Sequence, residues 1–454
     1  MQAMVAQFSV LLPNSARTHV ALLQTGHEYA IPILSGEDGV RFHTVATVNE
    51  SIMTNWQIPA IVCRCLAQDE NRHAMAYAFH NLDSTEKLPP DTTWVEVGKL
   101  KDINLASTEE HEGLVQWADS LNDPSWNSIP WSRSDWYPRA KQWMLDCASK
   151  TGNQVVGEPI QIKTWSISCV FRVETTGGAI WFKALPNFWG HEPRLMQDLT
   201  KTFPQYMMDV VAIEPDEHWM MSKEWAGPEP ETIEDWQIAL RAFTDIQLNC
   251  TEMIDELISF GCADRRLSLL PNLLEPVLAE LDDDQGRKFY EVTEAEAKEL
   301  ARRIRRLPAL CRKLSDCGIP ESVVHGDFWG PNVLVRDKLS GKAPIIFDWT
   351  DASIGHPFFD IYWTILYTKN ESLRSALRQC HIDIWSEKFP REKVVEAFDL
   401  SQQIAPYYYL LACRNIEANA PADARWELVF LLTGSVRNIL AAESLPAGMV
   451  DPLT

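Results

Sequence analysis

No C-x-x-C pair occurs in this 454-residue chain, and its ten cysteines, at 63, 65, 147, 169, 250, 262, 311, 317, 380 and 413, form no dense cluster. A disulfide framework is therefore not expected, and reduced thiols fit a cytoplasmic protein. Long apolar runs are missing too: nowhere do about 18 apolar residues follow one another without a charge. The N-terminus, MQAMVAQFSVLLPNSARTHVALL, lacks a basic segment leading into an unbroken apolar core, so neither a membrane span nor a secretion leader is predicted. Positive charge is scarce. With 41 basic against 63 acidic residues, the formal charge is -22, which disfavours nucleic acid and anionic membranes as partners. Small molecules suit such a surface better, cationic ones and metal-bound nucleotides among them. The sequence also lacks G-x-G-x-x-G and G-x-x-x-x-G-K-S/T, which excludes a P-loop enzyme. It has no internal repeat and no low-complexity tract.

What is present points to a packed protein. Hydrophobic residues make up 46% of the chain, charged ones 23%, and tryptophan occurs 18 times, a profile that excludes disorder. At about 100 to 200 residues per domain, the length predicts roughly two to four folding units.

Residues 1–121 read as a small α+β domain, strand-rich with one helix. Strands are expected over His19–Gln24, Tyr29–Leu34, Ala60–Ala67, Ala74–Phe79 and Trp94–Val97, with a helical stretch at Thr44–Gln57. Cys63 and Cys65 alternate within one of these strands, as two residues sharing a face do, and are not read as a metal site. The element order loosely resembles a degenerate Nudix-type fold. Its helix carries a lone Glu50 with no carboxylate at i+3 or i+4, so no hydrolysis of nucleoside diphosphates is expected there. Residues 122–150 form a connector with Pro124, Pro130, Pro138 and the indoles of Trp126, Trp131 and Trp136. So many indoles predict that it packs down, ending in a helix over Trp136–Ser149.

Residues 151–225 predict a five-stranded lobe with one helix: strands at Glu158–Trp165, Cys169–Glu174, Ala179–Leu185, Val210–Glu214 and His218–Ser222, and a helix at Glu192–Leu199. From 226 to 454 the pattern is mainly helical, with Thr232–Asn249, Met253–Ser259, Ala263–Glu280 broken at Pro271, and Thr293–Ser315.

Chemistry concentrates in Val323-Val-His-Gly-Asp327-Phe-Trp-Gly-Pro-Asn332-Val-Leu-Val335 and in Ala343-Pro-Ile-Ile-Phe-Asp348-Trp349. An apolar strand feeds a polar loop, a second strand leaves it, and a third delivers another aspartate. Asp327 precedes Asn332 by five residues and Asp348 by twenty-one, the layout of a kinase catalytic loop and its metal-binding aspartate. A carboxylate at Asp327 can accept or orient the proton of an attacking hydroxyl. The amide oxygen of Asn332 and the carboxylate of Asp348 are hard ligands for Mg²⁺.

This His-Gly-Asp-x-x-x-x-Asn loop, followed by an apolar strand ending in Asp-Trp, resembles the aminoglycoside phosphotransferase and choline kinase family of small-molecule kinases. The resemblance runs over roughly residues 150 to 450 and includes the tail Asp351-Ala-Ser-Ile-Gly-His356-Pro-Phe-Phe-Asp360. It implies a protein kinase-like bilobal fold, and ATP and Mg²⁺ as cofactors. The implied activity is transfer of the γ-phosphoryl group to a hydroxyl of a small molecule. By position it implies that Lys183, in Trp181-Phe-Lys-Ala-Leu185, contacts the nucleotide phosphates and that Glu192 pairs with Lys183. Where the family carries its phosphate loop this chain has Trp165-Ser166-Ile167-Ser168, so the hydroxyls or N–H groups of Ser166 and Ser168 are candidate phosphate contacts. Trp219–Trp225 would be the adenine hinge.

His325 is expected to hold backbone around Asp348, Asp351 and His356 to brace the loop, and Asp360 to anchor it. Substrate is expected against late helices bearing Gln402, Gln403, Tyr407, Tyr408, Tyr409, Arg414 and Arg437. Acidic residues there would suit a cation, the two arginines an anion. The rival reading is a catalytically silent kinase-like protein acting through its N-terminal domain.

Overall fold

The computed structural model describes residues 6–36, 41–69, 74–105, 107–121, 128–335 and 343–441; Pro124 and Trp126 of the connector lie outside them. The architecture is mixed α and β. Contacts divide the chain into two compact units: residues 1–186 with 219–222 and 420–427, and residues 187–218 with 223–419 and everything from 428 onward.

In the first unit, β1 (Ala6–Leu11), β2 (His19–Thr25), β3 (Glu28–Ala30), β4 (Ile33–Gly36), β5 (Ala60–Asp69), β6 (Ala74–Asn81), β7 (Thr92–Glu96) and β8 (Asn104–Leu105) form two four-stranded sheets, ordered β4-β1-β6-β5 and β7-β2-β3-β8. The single strand expected over Tyr29–Leu34 is therefore two. Pro32 lies between them, and its carbonyl accepts from Val10 N at 2.8 Å, so the chain leaves one sheet and joins the other where proline has no N–H to pair. Helix α1 (Ala46–Trp56) buries Val48, Ile52 and Trp56, an i, i+4, i+8 stripe, against Phe8, Val10, Tyr77 and Phe79.

Strands β1 and β8 and a second helix, α2 (Thr108–Ser120), were not foreseen, so this region has two α-helices rather than one. Ser107 caps α2 by accepting from Glu110 N, and Leu114, Trp117 and Ala118 fill a second core with Val20 and Leu22. Helix α3 (Trp136–Ser149) matches its expected limits. Its Trp136 is buried against Phe171, Phe182 and Trp219 at ring distances of 6.1 to 6.3 Å.

Strands β9 (Ile160–Trp165), β10 (Ser168–Val173) and β11 (Ile180–Ala184) run antiparallel, with Val170 opposite Lys183. Gln161 of β9 joins them to the N-terminal sheet. Where β5 bulges after Val62, the Gln161 amide accepts from Val62 N at 3.1 Å and donates to Val62 O at 2.8 Å, standing in for the missing ladder partner. Residues 420–427 complete this unit: Arg64, 2% exposed, pairs with Asp423 at 2.8 Å, and Trp426 packs on Phe42.

The second unit is mainly helical. Helix Ile233–Cys250 opens with a reciprocal capping box between Thr232 and Asp235. The helix expected over Ala263–Glu280 is instead a strand, Ala263–Asp264, parallel to Ser353–Ile354, then two short helices, Leu270–Leu273 and Glu275–Leu281, each with proline in its first turn. The expected Thr293–Ser315 helix breaks into Glu294–Ile304 and Leu307–Ser315, the second again opened by proline. Two small sheets matter for function: Ala263–Asp264, Ser353–Gly355 and Ser322–Val324 form one, and Val333–Leu334 pairs antiparallel with Ile345–Ile346 in the other.

Candidate active site

Strand Ser322–Val324 is wholly buried and delivers His325, Gly326 and Asp327 at its end. The turn needs its glycine: Gly326 has φ +86°, and a Cβ there would stand 2.5 Å from Asp351 O. Asp360, 1% exposed, anchors the loop as expected. Its Oδ1 accepts from Gly326 N at 2.8 Å and its Oδ2 from His325 N at 3.0 Å, with Gln247 Nε2 donating at 3.2 Å. Burial raises the Asp360 carboxyl to about 7, against the opposing pull of those two N–H donors.

His325 is structural, as expected. Its Nδ1 receives Asp327 N at 3.2 Å, which leaves the proton on Nε2 to be donated to Phe347 O at 3.0 Å. One imidazole thus holds the start of the polar loop to the residue before Asp348. The ring lies 4.6 Å from that of Trp349, and Phe328 stacks on Phe243 at 4.1 Å, so the loop is floored by aromatic core. Thr364 fixes its far side by donating to Phe328 O at 2.7 Å. His356 braces the tail by accepting from Phe358 N, and burial lowers its ring to about 3.

Asn332 is brought to Asp327. Its Nδ2 donates to both the Asp327 carbonyl and Asp327 Oδ2, at 2.8 Å each, and its own carbonyl accepts from Phe347 N at 3.1 Å. With the amide nitrogen turned to Asp327, the amide oxygen is the end directed elsewhere. Asp348 has φ +63°, in the left-handed region, and its Oδ1 accepts from the Thr350 hydroxyl at 2.6 Å. Asp327 and Asp348 are only half-buried, whereas Asn332 is 6% exposed. One carboxylate, one amide oxygen and a base held by its neighbour suit an oxygen-loving cation that takes its remaining ligands from phosphate and water. Among the described residues no group of three or more His, Cys, Asp or Glu could hold a metal ion.

Glu192 is the first residue of helix Glu192–Thr202 and is fully buried. In the same unit as Asp348, its Oε2 lies 3.0 Å from Thr350 Oγ1. Thr350 therefore touches two of the carboxylates singled out by sequence, yet sequence reasoning missed it: Glu192 and Thr350 are 158 residues apart and no local pattern marks the pair.

Lys183, Ser166 and Ser168 belong to the first unit. Lys183 alternates with buried Phe182 and Ala184 on β11. Ser166 N donates to Glu427 Oε2 at 2.7 Å, Ser168 Oγ accepts from the Trp165 indole at 2.7 Å, and both serines are buried. Burial raises the Glu427 carboxyl to about 7. Of the residues expected at a substrate pocket, Tyr407, Tyr408 and Tyr409 are core. Arg414 pairs with Glu280 and Tyr290, and Arg437 with Glu296, so neither arginine stands as a dedicated anion receptor.

Residues 228–391 match the model of the phosphotransferase enzyme family. The family read from the motif is thus met over the stretch that carries Asp327, Asn332, Asp348 and Asp360. No curated protein matches the sequence. Among solved structures the chain is similar to a macrolide 2'-phosphotransferase of Brachybacterium faecium (14% identity, 65% of this chain and 98% of that one, TM-score 0.42). It is also similar to an ethanolamine kinase of Plasmodium vivax (12%, 65% and 82%, 0.43) and to a choline/ethanolamine kinase family protein of Mesorhizobium loti (14%, 64% and 90%, 0.45). Among the described residues no helix is long and apolar enough to cross a membrane.

Proposed function

We propose that this protein is a small-molecule kinase that moves the γ-phosphoryl group of ATP to a hydroxyl in a Mg²⁺-dependent reaction. The observation that carries the reading is the pair of hydrogen bonds that the Asn332 amide donates to Asp327, at 2.8 Å to carbonyl and carboxylate alike. It presents a half-buried base and an amide oxygen from one rigid turn. Asp327 Oδ1 then orients the acceptor hydroxyl and takes its proton as the new O–P bond forms, a role worth about 10²- to 10⁴-fold in rate. Asn332 Oδ1 and the Asp348 carboxylate would hold Mg²⁺. Bound there, the ion supplies neutralisation of the negative charge on the phosphate oxygens. Lys183 would contact the nucleotide phosphates, as its position in the sequence implies. His325, Asp360 and Thr364 do no chemistry; they fix the loop, so that reacting groups meet with little reorganisation.

The test is Mg²⁺-dependent ADP release from ATP across aminoglycosides, amino alcohols, sugars and other hydroxylated metabolites, run beside Asp327→Ala. Release that requires one compound and vanishes in the variant supports the reading and names the acceptor class. Release that persists in Asp327→Ala overturns the role given to Asp327, and a wild-type protein that binds no Mg·ATP overturns the reading and leaves the silent kinase-like protein.

A further inference from the structure

The Thr350 hydroxyl has one hydrogen and two carboxylate neighbours: Asp348 Oδ1 at 2.6 Å and Glu192 Oε2 at 3.0 Å. The shorter distance is that of a charge-assisted O–H···O⁻ bond. Two of the three side chains are out of water, Thr350 being 5% exposed and Glu192 fully buried, while Asp348 is half-buried. Two carboxylates converging on one hydroxyl in a low-dielectric setting is an arrangement a protein keeps only where something is gained from it.

Backbone geometry indicates the gain. Asp348, with its left-handed φ of +63°, begins the single turn Trp349–Asp351, so its side chain is not steered by a regular helix or strand. A tether is needed to aim the carboxylate. Thr350 supplies one: its χ1 is stiff because it is β-branched, its hydroxyl engages Oδ1, and Oδ2 is thereby turned to the other side. The same hydroxyl lies 3.0 Å from Glu192 Oε2, at the first residue of the Glu192–Thr202 helix, and reaches it as the weaker arm of a three-centre bond that shares its one hydrogen. Gly326 lies directly beneath the next residue, Asp351, so the turn has no room to slide.

We propose that Thr350 is a positioning residue that ties Glu192 to Asp348 and aims the Asp348 carboxylate at its cation. The inference rests on the kinase reading of Asp348. It differs from a plain packing role because it assigns the effect to the hydroxyl and not to the bulk of the side chain.

The experiment uses the full chain with a non-hydrolysable ATP analogue and follows Mn²⁺ binding by electron paramagnetic resonance, with thermal melting of each variant as the check on folding. Thr350→Val keeps the shape and removes the hydroxyl; it is expected to weaken Mn²⁺ about 10-fold, the scale of losing a group that orients a metal ligand. Thr350→Ser restores the hydroxyl and is expected to return binding to within about 2-fold of wild type on the same scale. Thr350→Ala serves as a second hydroxyl-free variant, with the same loss expected. Wild-type Mn²⁺ affinity in either folded hydroxyl-free variant overturns the proposal. So does unfolding of both while Thr350→Ser folds, since the hydroxyl would then serve the fold alone. Asp348→Asn is run alongside. If it too binds Mn²⁺ as wild type does, the assignment of Asp348 has failed and Thr350 falls with it. If Asp348→Asn loses the ion and Thr350→Val does not, the Thr350 inference alone has failed.

Discussion

In the turn between β9 and β10, the Ser166 N–H ends on Glu427 and the Ser168 hydroxyl accepts from Trp165, so these two groups are engaged within the first unit. In the Asp327–Asn332 loop the bookkeeping runs the other way. There Asp360, His325 and Thr364 hold the backbone, and the carboxylates of Asp327 and Asp348 remain half-buried. Polar residues of similar kind thus serve as closure in one turn and as presentation in the other. What separates them is what each turn leaves at the surface: both serines are buried, whereas the Asp327 and Asp348 carboxylates are half-buried.

Removing presentation should have the largest effect. Asp348→Asn keeps the shape and the bond from Thr350 but removes the one charged ligand proposed for the cation, so turnover should fall about 10³-fold with the fold intact. Steady-state kinetics at saturating Mg²⁺, read beside a melting curve, check this; a fall of less than about 10-fold would put the loop's carboxylates on a par with the closed turn.

Next comes the closed turn's own carboxyl. Glu427 is raised from its ordinary 4.5 to about 7 by burial. The folded protein therefore holds a proton that the unfolded chain releases between those values. Its contribution to stability is complete below about pH 4.5 and is lost as pH rises through about 7, on the order of 3 kcal/mol in all. Glu427→Gln should flatten that stretch. Asp360 gives a slope of the same sign, so the informative quantity is the difference between wild type and Glu427→Gln in urea midpoints at about pH 5 and about pH 8. Equal slopes would place Glu427 in water.

Gly326→Ala probes the anchor side of the comparison. A Cβ at φ +86°, 2.5 Å from Asp351 O, should cost roughly 2 kcal/mol or more and disturb Asp327. Denaturation together with kcat measures both. The smallest effect is expected from Ser168→Ala, which forfeits one bond to Trp165 and should lower stability by about 1 kcal/mol with the nucleotide KM unchanged. A raised KM would instead return the serine turn to the phosphates.

The Asp327–Asn332 loop was legible in the sequence because its motif is local. Asp327, Asn332 and Asp348 lie within about two dozen residues, and each residue type suits the task proposed for it. His325 and Asp360 were legible for the same reason. Thr350 was not, since its meaning depends on Glu192, and that proximity is created only by folding. The helix over Thr108–Ser120 had a readable signal in Ser107 followed three residues later by Glu110, a helix-start signature. In Ala263–Glu280 the apolar pattern suggested one helix, but Ala263–Asp264 pairs with a strand some ninety residues later and proline opens each short helix that follows. Arg414 and Arg437 looked like ligand-facing cations because their partners, Glu280 and Glu296, come from distant helices.

The return of residues 420–427 to the first unit bears on how the chain is made. That unit's β1–β11 region is complete by Pro186, yet the segment that covers Phe42 and receives the Ser166 amide is synthesised more than two hundred residues later. At about 5 to 20 residues per second, the nascent chain spends tens of seconds with that surface uncovered. Ribosome-bound chains halted before residue 420 should therefore hold the first unit in an unfinished state that ribosome-associated chaperones would engage.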